Sequence, residues 1–307
     1  LVNKTGETIL EEYTYEYDSA GNQTKKIDKK GTTLYNYDEL NRLQEVTEPG
    51  DKITSYTYDK AGNRETQTVD GQTTTYNYDE RNRLLETTDG EKEYKFEYDH
   101  NGNQLKETKV EGTVETVVQE NTFDEFDRLI QTQIDGSTIN NTYNGDGLRV
   151  AKEVNGTVTN YLYEGTDVVL ETDNQNNETA RNVYGTNLIS RTVDNDTYSY
   201  MYNGHADVTG LVDENGEVKA TYYYDAFGVV TEKTGTVNNP FAYSGYQYDE
   251  ETGMYYLNSR MYDPETARFM QEDTYRGDPR DPLSLNYYAY CNNNPLIYYD
   301  PTGHWPK

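Results

Sequence analysis

Aromatic side chains return along this chain in pairs two residues apart, and an aspartate closes each pair. The pattern reads Tyr15 and Tyr17 before Asp18, Tyr35 and Tyr37 before Asp38, and Tyr56 and Tyr58 before Asp59. It continues as Tyr76 and Tyr78 before Asp79, and Phe96 and Tyr98 before Asp99. Residues at i and i+2 share one face of an extended strand. The Thr, Val and Tyr around them favour that conformation. Three positions after each aspartate stands Gly21, Asn41, Gly62, Asn82, Gly102, Asp127 or Gly147, residue types that accept a left-handed backbone. That spot is read as a turn. A return strand follows, as in the segment from Arg42, and a second turn is marked by Pro49-Gly50-Asp51, Asp70-Gly71 or Asp89-Gly90. Each unit is therefore an antiparallel hairpin, and almost no helix is expected. The aspartates lie 20, 21, 20 and 20 residues apart, a period that means one hairpin unit stacked on copies of itself.

Beyond residue 110 the units loosen but keep the frame. Phe replaces Tyr in the segment from Thr122, and the marks at Tyr143, Tyr163, Tyr184, Tyr202 and Tyr224 hold the spacing. About eleven units run without a linker. The Asn-rich stretch Asp173–Asn177 reads as a longer turn. After about residue 235 the aromatic marks crowd together and Pro279, Pro282, Pro295, Pro301 and Pro306 punctuate the chain. A terminal module that closes the array is expected, as repeat stacks need an atypical end unit. The division is set at a hairpin array over 1–221 and a terminal module over 222–307.

Only 33% of the 307 residues are hydrophobic, mean hydropathy is -1.06 and net charge is -28, values that alone suggest disorder. The 33 Tyr, locked to the repeat, argue for a folded chain in which Tyr replaces aliphatic residues. The acidic balance disfavours nucleic acid as a partner. The single Cys291 excludes an internal disulfide and reads as a small packed residue. No run is long enough to span a membrane as a helix. The chain does not begin with Met, lacks a leader and is already in register at Tyr13. A piece of a longer protein is expected, with an exposed first strand edge open to pairing with a second copy. Repeated aspartates raise Ca²⁺ as a ligand, but one Asp with Gly or Asn three later is a turn signature. His100, His205 and His304 share no metal-site spacing. No metal and no cofactor are expected. The tyrosine ladders also suit stacking on sugar rings, which makes a carbohydrate or cell-wall binding surface an alternative to a packed sheet face.

The units resemble those of the Rhs/YD-repeat superfamily, which includes bacterial polymorphic toxins, Gram-positive wall-associated proteins and animal teneurins. The strings YYYDAFG, YSGYQYDEETGMYYLNSRMYDPETARFMQED and NYYAYCNNNPLIYYDPTG are similar to its Rhs-repeat-associated core. The resemblance covers essentially the whole chain. It implies an all-β spiral, part of a hollow shell, capped by the core, with a C-terminal toxin domain as partner and an extracellular, secreted or wall-associated parent. It implies a structural role, the encapsulation and delivery of that toxin. It also implies an alternative, self-cleavage by an aspartic-type core just after the string Pro295 to His304. There two carboxylates share one proton, one activating water and the other protonating the leaving group. Asp300 matches the motif. Its partner is Asp273 by alignment or Asp278 by spacing, with Arg268 or Arg276 to tune the pair. His304 stands where cleaving members carry Leu. Against this, Asp300-Pro301 also reads as a plain turn.

Overall fold

The computed structural model describes residues 1–304 and 306. Trp305, whose exposure the sequence leaves open, lies outside them. A hairpin of Val2–Thr5 and Thr8–Glu12 opens the chain. From Thr14–Tyr17 to Val230–Thr234 one continuous sheet follows, in which every strand pairs antiparallel with its neighbours in sequence. Helical structure among the described residues is limited to three short 3₁₀ turns, Tyr243–Gly245, Pro282–Leu285 and Tyr290–Asn293.

The repeat is explained at the level of single atoms. In the turn after Asp59, the Ala61 and Asn63 amides donate to Asp59 Oδ1, both at 2.8 Å, and Asn63 Nδ2 donates to Oδ2 at 2.9 Å. Gly62 holds φ at 83°, as the position requires. The same lock forms at Asp38 with Arg42, at Asp79 with Arg83 and at Asp124 with Arg128. The side chain four after the aspartate then reaches the next turn. Asn63 donates to Asn82 Oδ1 at 2.9 Å, and Arg42 donates to the Asp59 carbonyl at 3.2 Å. Both carboxylate oxygens of these repeat aspartates thus accept bonds from the turn itself.

The two aromatics of each pair have different tasks. The first is buried toward the interior: Tyr35, Tyr56, Tyr76 and Phe96 are all under 8% exposed, while Leu34 and Ile53 face outward. The second, just before the aspartate, sits at a β-bulge, as the register shift between Thr57 and Tyr58 shows. Its hydroxyl donates back to the preceding unit. Tyr58 reaches the Leu43 carbonyl at 2.7 Å, Tyr37 the Gln23 carbonyl at 2.8 Å and Tyr224 the Val208 carbonyl at 2.8 Å. Leu43 lies beyond the ladder to the following strand, which begins at the Glu45–Ser55 pair. The phenol satisfies a carbonyl that the ladder does not reach.

The sheet curls into a barrel-like wall until its ends meet. No ladder joins the first strand to the last among the described residues, and side chains make the seam instead. Lys30 pairs with Glu232 at 2.5 Å, and its ammonium lies 3.6 Å from the Tyr223 ring centroid. Thr209 Oγ1 donates to the buried Glu11 at 2.6 Å, and the Gly204 amide donates to the Tyr15 hydroxyl at 2.7 Å. The first strand edge, expected to be open to a second copy, faces the far end of its own sheet.

The residues after Thr234 form the plug. Four short strands, Gln247–Asp249, Met254–Tyr256, Met261–Asp263 and Arg268–Phe269, make a small sheet around Tyr243, Tyr255, Tyr262 and Tyr290. The plug grips the rim of repeat turns. Asn294 Nδ2 donates to Asn22 Oδ1 and the Asn41 carbonyl at 2.8 and 2.7 Å, and Asn293 to the Gly62 carbonyl at 2.8 Å. Tyr288 reaches the Gly102 carbonyl at 2.9 Å. The buried ion pair of Arg149 with Asp249 at 2.5 Å adds to the joint, as does Arg191, which pairs with Glu171 inside the wall at 2.6 Å and donates from Nε to the Asn238 carbonyl. The expected division at 221/222 falls inside the strand Val218–Tyr224, which still pairs with Val230–Thr234. The string YYYDAFG belongs to the terminal resemblance, yet its three tyrosines all pair in the wall ladder.

Candidate functional site

The site is built around Arg260, a buried residue that the sequence reading did not single out. Its Nη2 lies 2.7 Å from Asp273 Oδ2 and 3.8 Å from Asp300 Oδ2. Its Nη1 donates to the Tyr287 carbonyl at 2.9 Å, its Nε to the Gly303 carbonyl, and its guanidinium stacks on Phe269. Burial brings this guanidinium down to about 10, against the upward pull of Asp273 and Asp300. The structure therefore brings Asp273 and Asp300, which are 27 residues apart, to one cation. Both aspartates are buried.

Asp300 serves two arrangements at once. Its Oδ1 accepts the amides of Thr302, Gly303 and His304 at 3.2, 2.8 and 3.1 Å, the plain turn that its Asp-Pro sequence suggests. Its own amide donates to the Tyr246 hydroxyl at 2.6 Å. Its Oδ2 faces Arg260. The chain from Asp300 to His304 is thereby wrapped around the guanidinium. Asp273 is held from three sides: Arg260 on Oδ2, and on Oδ1 the Tyr275 amide at 2.8 Å and His304 Nδ1 at 2.9 Å. A cavity of about 30 Å³ adjoins Arg260, Asp273, Cys291, Asp300 and His304. That is room for one or two waters.

Asp278 is placed differently. Its carboxylate pairs with the exposed Arg280 at 2.7 Å, and its amide donates to Ser284 Oγ. Arg268 donates to Asn63 Oδ1 at 3.1 Å and stacks on Tyr78 and Tyr288, which makes it a rim contact. Arg276 is exposed and paired with Glu272. Spacing in sequence pointed to Asp278, but a proline-rich loop intervenes and turns its carboxylate to Arg280. The signal for Arg260 was its place inside the string YLNSRMYDP, and only the fold shows what it touches.

The interior of the wall holds a second feature, a cavity of about 520 Å³ lined by Tyr76, Phe96, Glu107, Asp263 and Glu265. Burial, with Asp263 and Glu265 nearby, raises the Glu107 carboxyl to about 8. No group of three or more His, Cys, Asp or Glu among the described residues is arranged to hold a metal ion. No helix of the described residues is long and apolar enough to cross a membrane.

Comparison with known proteins follows the same lines. Residues 3–296 match the teneurin YD-shell family. The chain is similar to the tRNA3(Ser)-specific nuclease WapA of Bacillus spizizenii, with 39% identity over 188 residues, 60% of this chain and 7% of that protein. It is 35% identical over 107 residues to the toxin protein Tse5 of Pseudomonas aeruginosa, 32% of this chain and 8% of that one. Among solved structures, the Tc holotoxin pore of Photorhabdus luminescens aligns over 98% of this chain and 19% of its own, at a TM-score of 0.51 and 18% identity. The crystal structure of TcdB2-TccC3-Cdc42 aligns over 98% of this chain and 20% of that one, at a TM-score of 0.50 and 17% identity. These two structures speak for the fold alone, and the chain spans less than a tenth of the WapA and Tse5 proteins it matches. With its repeat locks, curled all-β wall and terminal plug, the chain belongs to the teneurin YD-shell family and, with it, to the Rhs/YD-repeat superfamily.

Proposed function

We propose that this chain is the closing segment of a bacterial toxin shell, which encloses a C-terminal toxin domain until delivery from an extracellular parent protein. The observation that carries this reading is the plug. It grips successive turns of one rim, from Asn22 to Gly102, and so shuts one end of a curled wall. The similarity to the toxin Tse5 and to the nuclease WapA supports the class of cargo. The test is protease protection of the full-length parent. Residues beyond Lys307 resist digestion in the native protein and become sensitive once the wall is unfolded. Equal digestion in both states overturns the proposal.

A second reading, self-cleavage after His304, is favoured by one observation: Asp273 and Asp300 share Arg260 beside a water-sized cavity. On this reading Asp300, or Asp273, takes a proton from the water that adds to the His304 carbonyl and returns it to the leaving amine as the 304–305 C–N bond breaks, while Arg260 holds the carboxylates in place. A cut after His304 lowers the intact mass by the residues Trp305 to Lys307. Asp300→Asn and Asp273→Asn abolish the cut, whereas Asp278→Asn leaves it. An uncut native chain overturns this reading and leaves the shell reading standing.

A further inference from the structure

His205 sits in the repeat turn Asn203–Asp207, at the joint between wall and plug. Its imidazole is nearly buried, with 11% of the side chain exposed. Nδ1 lies 2.9 Å from Asp207 Oδ1, and Nε2 lies 3.1 Å from the Tyr298 carbonyl. A carbonyl oxygen only accepts, and Asp207 Oδ1 already accepts the Ser244 amide at 3.0 Å. Asp207 Oδ2 accepts from Asn203 Nδ2 at 2.6 Å. Both ring nitrogens therefore face acceptors. A neutral imidazole carries one N–H and satisfies one of them, whereas the imidazolium satisfies both.

The Tyr298 carbonyl belongs to the arm that ends at Asp300. Asp300 itself is fixed by Arg260 and by the turn amides it accepts, whereas the stretch just before it has fewer ties. The Tyr298 amide donates to the Asn294 carbonyl at 3.3 Å, and the Asp300 amide donates to the Tyr246 hydroxyl. Tyr298 and Tyr299 are themselves exposed. We propose that protonated His205 is a pH-sensitive latch that pins this arm, at Tyr298, to the shell wall.

The groups facing the ring support the direction. Asp207 is the charge in contact. Tyr243 packs against the imidazole with ring centroids 5.4 Å apart, and Ser244 Oγ is 3.4 Å from Nδ1. From the opposite end of the sheet, Tyr15 bonds the Gly204 amide, with Lys26 acting beyond it. Burial opposes the charge on His205, but Asp207 and the Tyr298 carbonyl outweigh it and raise its pKa. A raised folded pKa means that the stabilisation is complete below about 6.5, the ordinary histidine value, and is lost as pH rises through the folded value. The proton lost is the one on Nε2, because Asp207 holds the other. Deprotonation thus releases the arm and leaves the His205–Asp207 contact in place.

The latch is independent of self-cleavage and is tested without it. Amide exchange on the full chain, corrected for intrinsic rates, is followed at Tyr298 from pH 5.5 to 9, with Asp300, anchored separately, as the internal reference. Protection is expected to fall about fivefold as pH rises, the value of one hydrogen bond. His205→Gln is expected to show the lower protection at every pH. If that variant fails to fold, nitrogen NMR of the native histidines decides. Both His205 ring nitrogens carry protons at low pH, and Nε2 loses its proton in the same pH range in which the arm loosens. Protection that ignores pH, a neutral His205 throughout, or full protection in His205→Gln overturns the latch.

Discussion

At the scale of single residues, the second tyrosine of a pair inside the array, past the first unit, is chosen for its hydroxyl. Tyr58→Phe keeps the ring and leaves the Leu43 carbonyl without its donor. The expected cost is about 1–2 kcal/mol in urea unfolding, between that of a typical hydrogen bond and of a buried unsatisfied carbonyl. Tyr17→Phe, at a ring 57% exposed, is expected to cost almost nothing. Asp249 is a second residue with a defined role. Burial pushes its carboxyl up, but Arg149 and Lys152 outweigh burial and bring it down to about 2. A depressed folded pKa means that its stabilisation is full above about 4, the ordinary carboxylate value, and is lost as pH falls toward 2. Asp249→Asn is expected to remove that part of the acid transition. It also leaves Arg149 and Lys152 without their shared partner at neutral pH, at about 3–5 kcal/mol. The pH dependence of urea midpoints, native against variant, reads both effects.

At the scale of the hairpin unit, much was legible in the sequence. The aspartate and the residue three later predict a turn, and the backbone is left-handed there at Gly21, Asn41, Gly62, Asn82, Gly102 and Asp127. What the period did not reveal is the lateral bond from the residue four after the aspartate to the next turn. Asn and Arg alternate at that site, and a pattern search sees two residue types where the structure sees one clamp. The rim also separates equivalent glycines by their surroundings. A Cβ at Gly21 meets open space, whereas one at Gly102 meets the Tyr288 hydroxyl and lies 2.9 Å from Glu272 Oε2. Gly21→Ala is expected to cost about 1–2 kcal/mol from its left-handed backbone alone. Gly102→Ala adds about 1–3 kcal/mol of overpacking. The difference in thermal midpoint between the two variants measures how tightly the plug is seated.

At the scale of the whole molecule, sequence reading gave out where contacts join residues a hundred or more positions apart. The all-β wall and a terminal closing module were expected from the repeat and from the loss of the repeat. The seam was not, because Glu11, Lys29 and Lys30 look like ordinary surface charges until Thr209, Tyr223 and Glu232 lie opposite them. Arg260 escaped for the same reason, since it meets Asp273 and Asp300 only after the plug folds. The central claim is that this wall curls until its two ends meet and is closed by a plug drawn from its own C-terminal residues. Zero-length carbodiimide cross-linking of the intact monomer, mapped by mass spectrometry, tests it most directly. Lys30 and Glu232, at 2.5 Å, report the seam, and Lys152 and Glu251, at 3.0 Å, report the plug. Lys25 with Glu16 and Lys95 with Glu115 serve as controls within the wall, at 2.9 and 2.7 Å. The account predicts all four links within one chain. Recovery of the two control links without Lys30–Glu232 and Lys152–Glu251 would contradict it.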